Sequence, residues 1–160
     1  MPVPGGLILS DGERVRRLDE RGDVAWTYLL PGKTTRTGEP PVVLLWGSKT
    51  LVLAIPENIG VRLRYLDATT GKLAHADAPL IDADPAPEAW QVVGDRILHS
   101  DGERLVARTM PTGREQWSRV TPLAQRCRIA ASNEGILLHA REGMGVRAVV
   151  RWLGTAVQWR

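Results

Sequence analysis

Cysteine is nearly absent from this sequence of 160 residues, which contains only Cys127. A single cysteine excludes an intrachain disulfide and a zinc site built from cysteines, and it favours a reducing compartment, which we predict to be the cytoplasm. No apolar run approaches the roughly 18 residues of a membrane-spanning helix, so no membrane partner is expected. Residues 1–10 lack the basic and apolar regions of a signal peptide, and none is predicted.

Phenylalanine is missing and lysine is rare, since the 21 basic residues include only Lys33, Lys49 and Lys72. Together with many alanines, arginines and tryptophans, this composition favours a bacterial source with a GC-rich genome. The net charge is only +3 and the arginines are interleaved with apolar residues, so nucleic acid is not the expected partner.

Helical periodicity is also absent, and short apolar runs of strand length alternate with turns rich in glycine and proline. The pattern is clearest between residues 41 and 75, where four strands are predicted. They cover residues 41–46, 50–55 and 61–66, with a fourth beginning at 72–75, and turns at 47–49, 56–60 and 67–71 separate them. The sequence therefore predicts an all-β fold.

An internal repeat divides the chain into four units. The string Ser-Asp-Gly-Glu-Arg occurs at 10–14 and again at 100–104, each time after an Ile-Leu pair. A second marker, a glycine followed by a short strand, occurs once per unit at Gly22, Gly71, Gly113 and Gly154. Successive marker glycines are 49, 42 and 41 residues apart, which is typical of propeller blades of four antiparallel strands. The predicted blades are approximately 1–36, 37–84, 85–124 and 125–160.

The turn marker resembles the D-x-x-T-G-x-x-x-W docking motif of the PQQ-like (quinoprotein-type) β-propeller repeat family. Residues 67–75 read DATTGKLAH, with His75 in place of the tryptophan, and the turns before Trp26 and Trp117 match in part, with Met110 near the expected aspartate of the third unit. The resemblance covers nearly the whole chain and is favoured over WD40, because no Trp-Asp dipeptide occurs. It implies that the glycine turn and the tryptophan lock neighbouring blades, and that the locking residues are Gly22, Trp26, Gly71, Gly113, Trp117, Gly154 and Trp159.

The number of blades leaves the architecture open. About fifteen strands are predicted, with the first blade short, whereas propellers of this family usually have about seven or eight blades. The chain is a small four-bladed ring, half of a larger ring completed by another copy or another subunit, or a piece of a longer protein. An open half exposes two blade faces, so we expect it to dimerise or to bind a partner.

Residues that could carry chemistry have simpler structural interpretations. His99 and His139 occupy like positions at strand ends in their units, without a matching third metal ligand. Cys127, between two arginines, is interpreted as a small core residue, and Asp11-Gly12 and Asp101-Gly102 as hairpin turns. Quinone chemistry, which the family's enzymes perform with a full ring and a calcium-binding carboxylate cluster, is not expected. We predict no catalytic, cofactor-binding or metal-binding residue.

The function predicted from these observations is that of a non-enzymatic scaffold that presents loops to a protein partner. The longest loops, at 32–40 and 76–88, are the candidate contact elements. The resemblance implies roles of this kind, since bacterial members serve as assembly-factor scaffolds and as sensor modules attached to signalling kinases. Two alternatives are a half-propeller that completes a larger ring by homo- or hetero-oligomerisation, and a small-ligand sensor whose ligand would raise the melting temperature.

Overall fold

A computed structural model describes residues 1–31, 40–83, 86–120, 127–132, 135–142, 145–153 and 156–159. These residues contain fifteen strands, and their only helix is a 3₁₀ helix at Pro87–Ala89. The all-β prediction is confirmed. No helix in the described part of the chain is long and apolar enough to span a membrane.

The chain divides into two compact units, Met1–Ile81 and Asp82–Arg160. The first unit holds two antiparallel meanders, in which strands adjacent in sequence pair with each other. Sheet A contains β1 (Pro2–Val3), β2 (Gly6–Ser10), β3 (Arg14–Leu18) and β4 (Val24–Leu29). Sheet B contains β5 (Val42–Trp46), β6 (Thr50–Glu57) and β7 (Gly60–Asp67).

The second unit holds two further antiparallel meanders of four strands each. Sheet C contains β8 (Trp90–Val93), β9 (Arg96–Ser100), β10 (Arg104–Thr109) and β11 (Glu115–Val120). Sheet D contains β12 (Cys127–Ser132), β13 (Gly135–Glu142), β14 (Gly145–Leu153) and β15 (Ala156–Trp159). Each sheet lies within one of the four predicted blade ranges, and the residues at which one blade passes to the next remain predictions.

The central strand β6 is buried on both of its faces. Leu51 and Leu53 point to one face and Val52 and Ala54 to the other, and all four are at most 1% exposed. This double burial explains why the strand reads as a continuous apolar run rather than as an alternating one. β6 also extends two residues beyond its prediction, so the turn predicted at 56–60 shortens to a two-residue hairpin at 58–59.

The prediction of a fourth strand beginning at 72–75 is wrong, because these residues do not form a regular strand. Residues 72–81 run along β7 through irregular hydrogen bonds, such as the 2.9 Å bond from the amide of Ala74 to the carbonyl of Tyr65. Only isolated bridges form, at Leu73 and Ile81. Pro79 has no amide hydrogen to donate, so a continuous ladder cannot form across it. The sheet with three strands is therefore the second, not the first as expected.

Sheets A and B pack face to face around one apolar core. Its buried side chains are Val3, Ile8, Val15, Leu30, Leu51, Leu53, Ile55, Leu66 and Ala68. In the second unit, sheets C and D share a core of Leu98, Leu105, Ala107, Ile129 and Ile136. Each unit is thus a pair of stacked sheets, because one sheet alone cannot bury both of its apolar faces.

The irregular edge of sheet B provides a test of this packing. A Cβ atom on Gly60 would overlap the carbonyl oxygen of Ile81, which accepts the amide of Val61 at 2.8 Å. We expect Gly60→Ala to displace residues 72–81 from β7 and to speed hydrogen exchange at the amides of Val61 and Ile81. Gly47→Ala, where a Cβ meets nothing within 4 Å, is the control and should leave both amides protected. Unchanged exchange in Gly60→Ala would contradict this account.

Candidate functional site

Trp26, on β4, makes the main contact between sheet A and the turn that follows β7 in sheet B. Its indole Nε1 donates a hydrogen bond of 3.2 Å to the carbonyl oxygen of Ala68. The ring lies so close to Gly71 that a Cβ atom there would be 2.6 Å from the indole Cδ2. The structure thus brings together two of the predicted locking residues, Trp26 and Gly71, and their locking role stays a prediction.

The turn that receives the indole is held by Asp67. Its Oδ1 accepts the amides of Thr69 and Thr70 at 2.9 and 2.7 Å, and the amide of Gly71 donates to the Asp67 carbonyl at 2.8 Å. The Thr70 amide and hydroxyl, by donating to the carboxylate, lower the pKa of Asp67. Gly71 has φ of +70°, which favours glycine. The turn is therefore held by hydrogen bonds among its own residues as well as by the contact with Trp26.

Two arginines that the sequence pattern did not single out reinforce the contact between sheets A and B. Arg17 lies opposite Trp26 and donates to the same Ala68 carbonyl at 2.7 Å. Arg64, on β7, donates to the hydroxyl of Tyr28 at 2.7 Å and forms a bidentate ion pair with Asp77. Their only sequence signal is an arginine within a predicted strand, which does not indicate a partner on another sheet.

Sheet A carries an equivalent turn on which no side chain of the described residues lies. Asp19 accepts the amides of Arg21 and Asp23 at 2.9 Å each, and the amide of Gly22 donates to the Asp19 carbonyl at 3.1 Å. Gly22 has φ of +87°, and a Cβ atom on it would meet nothing within 4 Å. The Gly22 turn therefore has the form of the Gly71 turn without its tryptophan.

The face of sheet A that points away from sheet B is exposed and apolar. We call it the open face, and it consists of Leu7, Leu9, Arg14, Arg16, Leu18, Val24, Thr27 and Leu29, as the strand registers show. The exposed fractions of Leu7, Leu9, Val24 and Leu29 are 37%, 43%, 57% and 69%. Large apolar side chains grouped in this way on one sheet face are typical of an interaction surface.

The open face repeats, residue by residue, the face of sheet B that receives sheet A. In sheet A, Leu7 pairs with Leu18 and Leu9 with Arg16. In sheet B, the same two positions are the pair of Leu51 with Leu66 and the pair of Leu53 with Arg64. The three sheet B leucines at these positions are 0% exposed. The sequence places the same residue types on both sheets, but within the described part of the chain a sheet is stacked on those of sheet B alone.

The charges on the open face are largely neutralised within it. Asp11 binds the guanidinium of Arg16 at 3.2 Å and lies 3.8 Å from that of Arg14. Its Oδ1 also accepts the amides of Glu13 and Arg14 at 3.2 and 3.0 Å, which confirms the predicted hairpin turn. Partial burial alone would raise the pKa of Asp11, but the two amides and the arginines outweigh it and lower the value. The face therefore presents leucine and valine rather than unpaired charge.

For the other predicted locking residues, the structure describes fewer contacts or none. Trp117, on β11, packs against the core that sheets C and D share. Gly113 is buried, and its amide donates to the carbonyl of Thr109 at 2.9 Å. Because Asp67 accepts the amide of Gly71 in the same way, Thr109 rather than Met110 takes the aspartate position of the third unit. Gly154 and the side chain of Trp159 lie outside the described residues.

His99 is fully buried on sheet C and is held in its neutral form. Its ring stacks on that of Trp90 with centroids 5.0 Å apart, and Nε2 accepts a hydrogen bond of 2.9 Å from Nε of Arg108. Burial lowers the pKa of His99 to about 4, and the charge of Arg108 acts in the same direction, while the Ser100 backbone opposes it. Nδ1, which must carry the proton of the neutral ring, finds no hydrogen-bond partner among the described residues.

His139 does not lie at a strand end as predicted, and His75 lies among aromatic rings. His139 does not end a strand, because β13 continues to Glu142, and its side chain lies outside the described residues. His75 packs with the rings of Trp46 and Tyr65, with centroids 5.7 and 5.8 Å away. The Tyr65 hydroxyl is buried and has no hydrogen-bond partner in the part of the chain that the structure describes, and burial raises the pKa of Tyr65 to about 12.

The remaining candidates are structural where they are described. Asp101 Oδ1 accepts the amides of Glu103 and Arg104 at 3.0 and 2.7 Å, so the second predicted Asp-Gly turn is confirmed. Cys127 begins β12, as predicted, but its side chain lies outside the described residues. So do residues 32–39 and 84–85 of the predicted contact loops. Across the described ranges, no three histidine, cysteine, aspartate or glutamate side chains converge on a metal position.

No family model and no curated protein matches this chain. Among solved structures, the crystal structure of BamB from Moraxella catarrhalis is similar to it, with a TM-score of 0.59 and 17% sequence identity. The match covers 99% of this chain and 48% of that one. This chain therefore spans about half the length of BamB. The likeness confirms the predicted β-propeller fold, here as a partial propeller.

The two glycine turns allow the tryptophan contact to be measured. We expect Gly71→Ala to lower the free energy of unfolding by about 1–3 kcal/mol more than Gly22→Ala. Both alanines take the strained positive φ, at a cost of about 1–2 kcal/mol each, but only the Cβ at position 71 strikes the Trp26 ring. Urea unfolding of the two variants measures the difference. Equal losses of stability would show that the indole does not constrain the Gly71 turn.

Burial of neutral His99 predicts a dependence of stability on pH. The unfolded chain takes up the proton near pH 6.5 and the folded chain near pH 4, so stability is complete above pH 6.5 and is lost below it. Relative to His99→Gln, the wild type should lose roughly 1 kcal/mol of unfolding free energy per pH unit between pH 6 and 4.5. Urea unfolding at several pH values checks this, and parallel curves for the two proteins would contradict it.

Proposed function

We propose that this chain is a PQQ-like β-propeller module that binds a protein partner through the open face of sheet A and performs no catalysis. The observation that carries the proposal is the exposure of Leu7 and Leu9 at positions where sheet B buries Leu51 and Leu53 completely. The likeness to BamB, itself a PQQ-like β-propeller, supports the assignment to this type of propeller.

The chemistry of the open face favours a protein over a nucleic acid or another polyanion. Arg14 and Arg16 are already paired with Asp11, so few charges remain to attract phosphates. The apolar side chains around them would gain from being removed from water, by about 25 cal/mol for each Å² covered. A partner with an apolar surface and a hydrogen-bond acceptor for Arg16 fits this face.

The titratable groups with shifted pKa values support a role without catalysis. The carboxylates of Asp11, Asp67 and Asp101 each accept backbone amides in a turn. His99 is sequestered between Trp90 and Arg108 and is fully buried. Each of these groups serves the local structure of a turn or a sheet. The single cysteine is the support for our further proposal that the protein acts in the cytoplasm.

The proposal is tested by charging the open face. Leu9→Glu and Leu29→Glu place a carboxylate among apolar side chains that are already exposed, so both variants should fold. We expect them to reduce recovery of a partner by tagged protein from native cells by at least about tenfold, as loss of an interface anchor does. Quantitative mass spectrometry of the recovered proteins measures the effect.

Ile59→Glu is the matched control. Ile59 is 81% exposed on the β6–β7 turn of the same unit and does not belong to the open face. It should recover the partner as the wild type does. If all three variants recover the same proteins equally, the open face is not the binding surface and the proposal is overturned.

A further inference from the structure

We infer that the open face of sheet A receives a tryptophan-bearing blade from a second copy of this chain. The inference rests on the proposed function and names the partner. It concerns the Gly22 turn and the leucines beside it. We infer that together they form a binding site for the tryptophan and the apolar sheet face of another blade.

Sheet B shows what a face of this kind binds. Sheet A covers Leu51, Leu53 and Leu66 of sheet B, and Trp26 lies on Gly71 at the edge of the contact. The occupant therefore supplies an apolar sheet face together with an indole, whose N–H donates to the carbonyl that follows the turn aspartate. Such an indole buries roughly 200 Å² and fixes the position of one blade on the next.

Sheet A offers the same elements in the same order. Leu7, Leu9 and Leu18 stand where sheet B has its three covered leucines, and Asp19 holds the Gly22 turn as Asp67 holds the Gly71 turn. Glu20 follows Asp19 as Ala68 follows Asp67, so its carbonyl is the acceptor available to an incoming indole N–H. The Gly22 turn is one residue shorter, but it keeps the positive φ and the open space above the glycine.

A second copy supplies a blade of the required kind. β15 is the last strand of sheet D, as β4 is the last strand of sheet A, and it carries Trp159 at the position that the repeat assigns to Trp26. A two-fold axis would let each copy receive the other's sheet D, giving two identical contacts that close the assembly.

The experiment measures the mass of the full chain in solution by light scattering during size-exclusion chromatography. We expect the wild type and Ile59→Glu to form a particle of twice 17.6 kDa. Leu9→Glu and Trp159→Ala should each raise the dissociation constant of the dimer by at least about tenfold, because each removes one side of both contacts. Circular dichroism establishes that each variant retains its sheets, and Leu29→Glu serves as a second open-face variant.

Mixing the two variants distinguishes pairing between copies from closure within one chain. A Leu9→Glu copy still carries Trp159, and a Trp159→Ala copy still carries an intact open face. The mixture should therefore recover dimers through one good contact, which neither variant forms alone. If Trp159 instead docks on sheet A of its own chain, all proteins stay at 17.6 kDa and mixing changes nothing.

The outcomes separate this inference from the proposed function. Suppose that the wild type is a monomer and that Leu9→Glu loses a protein partner other than this chain. The second copy is then overturned as the occupant, and the proposed function stays intact. A dimer that withstands Leu9→Glu, Leu29→Glu and Trp159→Ala also overturns the inference, because the contact then lies elsewhere. If, in addition, the open-face variants retain every other partner, the proposed function fails with it.

Discussion

The structure depends on one requirement, that every apolar sheet face be covered by the next sheet. β6 is apolar on both faces, and burying each of its leucines contributes about 1.5–3 kcal/mol relative to leaving it in water. Apolar attraction alone has no direction and would allow one sheet to slide over the other. Trp26 on the Gly71 turn provides the direction, since its indole both fills the space above the glycine and donates to the Ala68 carbonyl.

The open face follows from the same requirement, because the repeated sequence gives sheet A the receiving pattern of sheet B, whether or not a donor is present. Leu7 and Leu9 have the residue types and the register of Leu51 and Leu53, yet they lie in water. Their exposure stabilises nothing in the isolated chain. A preformed Gly22 turn beside them indicates a surface kept ready for an occupant, because the Asp19 hydrogen bonds order the turn in advance.

The sequence was sufficient to predict the sheets and the glycine turns, because period-two alternation and Asp-Gly turns are local signals. Trp26 and Gly71 were predicted as locking residues only through the resemblance to a family motif, and no pattern in the sequence paired the two. Arg17 and Arg64 were not foreseen, since an arginine in a strand gives no sign of the carbonyl or hydroxyl that it reaches on another sheet. The irregular edge at 72–81 was also missed, because its form depends on contacts of Gly60, Pro79 and Asp77 rather than on its own residue pattern.

Divergence between the repeats makes the corresponding faces of sheets A and C chemically different. The positions of Leu9 and Leu18 in sheet A correspond to His99 and Arg108 in sheet C, as the registers show. A buried histidine that accepts a hydrogen bond from an arginine tolerates only an occupant that leaves this bond intact, since an unpaired buried cation is costly. Leucines impose no such condition. The polar pair of sheet C is already covered, with His99 0% exposed, whereas Leu7 and Leu9 of sheet A are exposed and set no polar condition on an occupant.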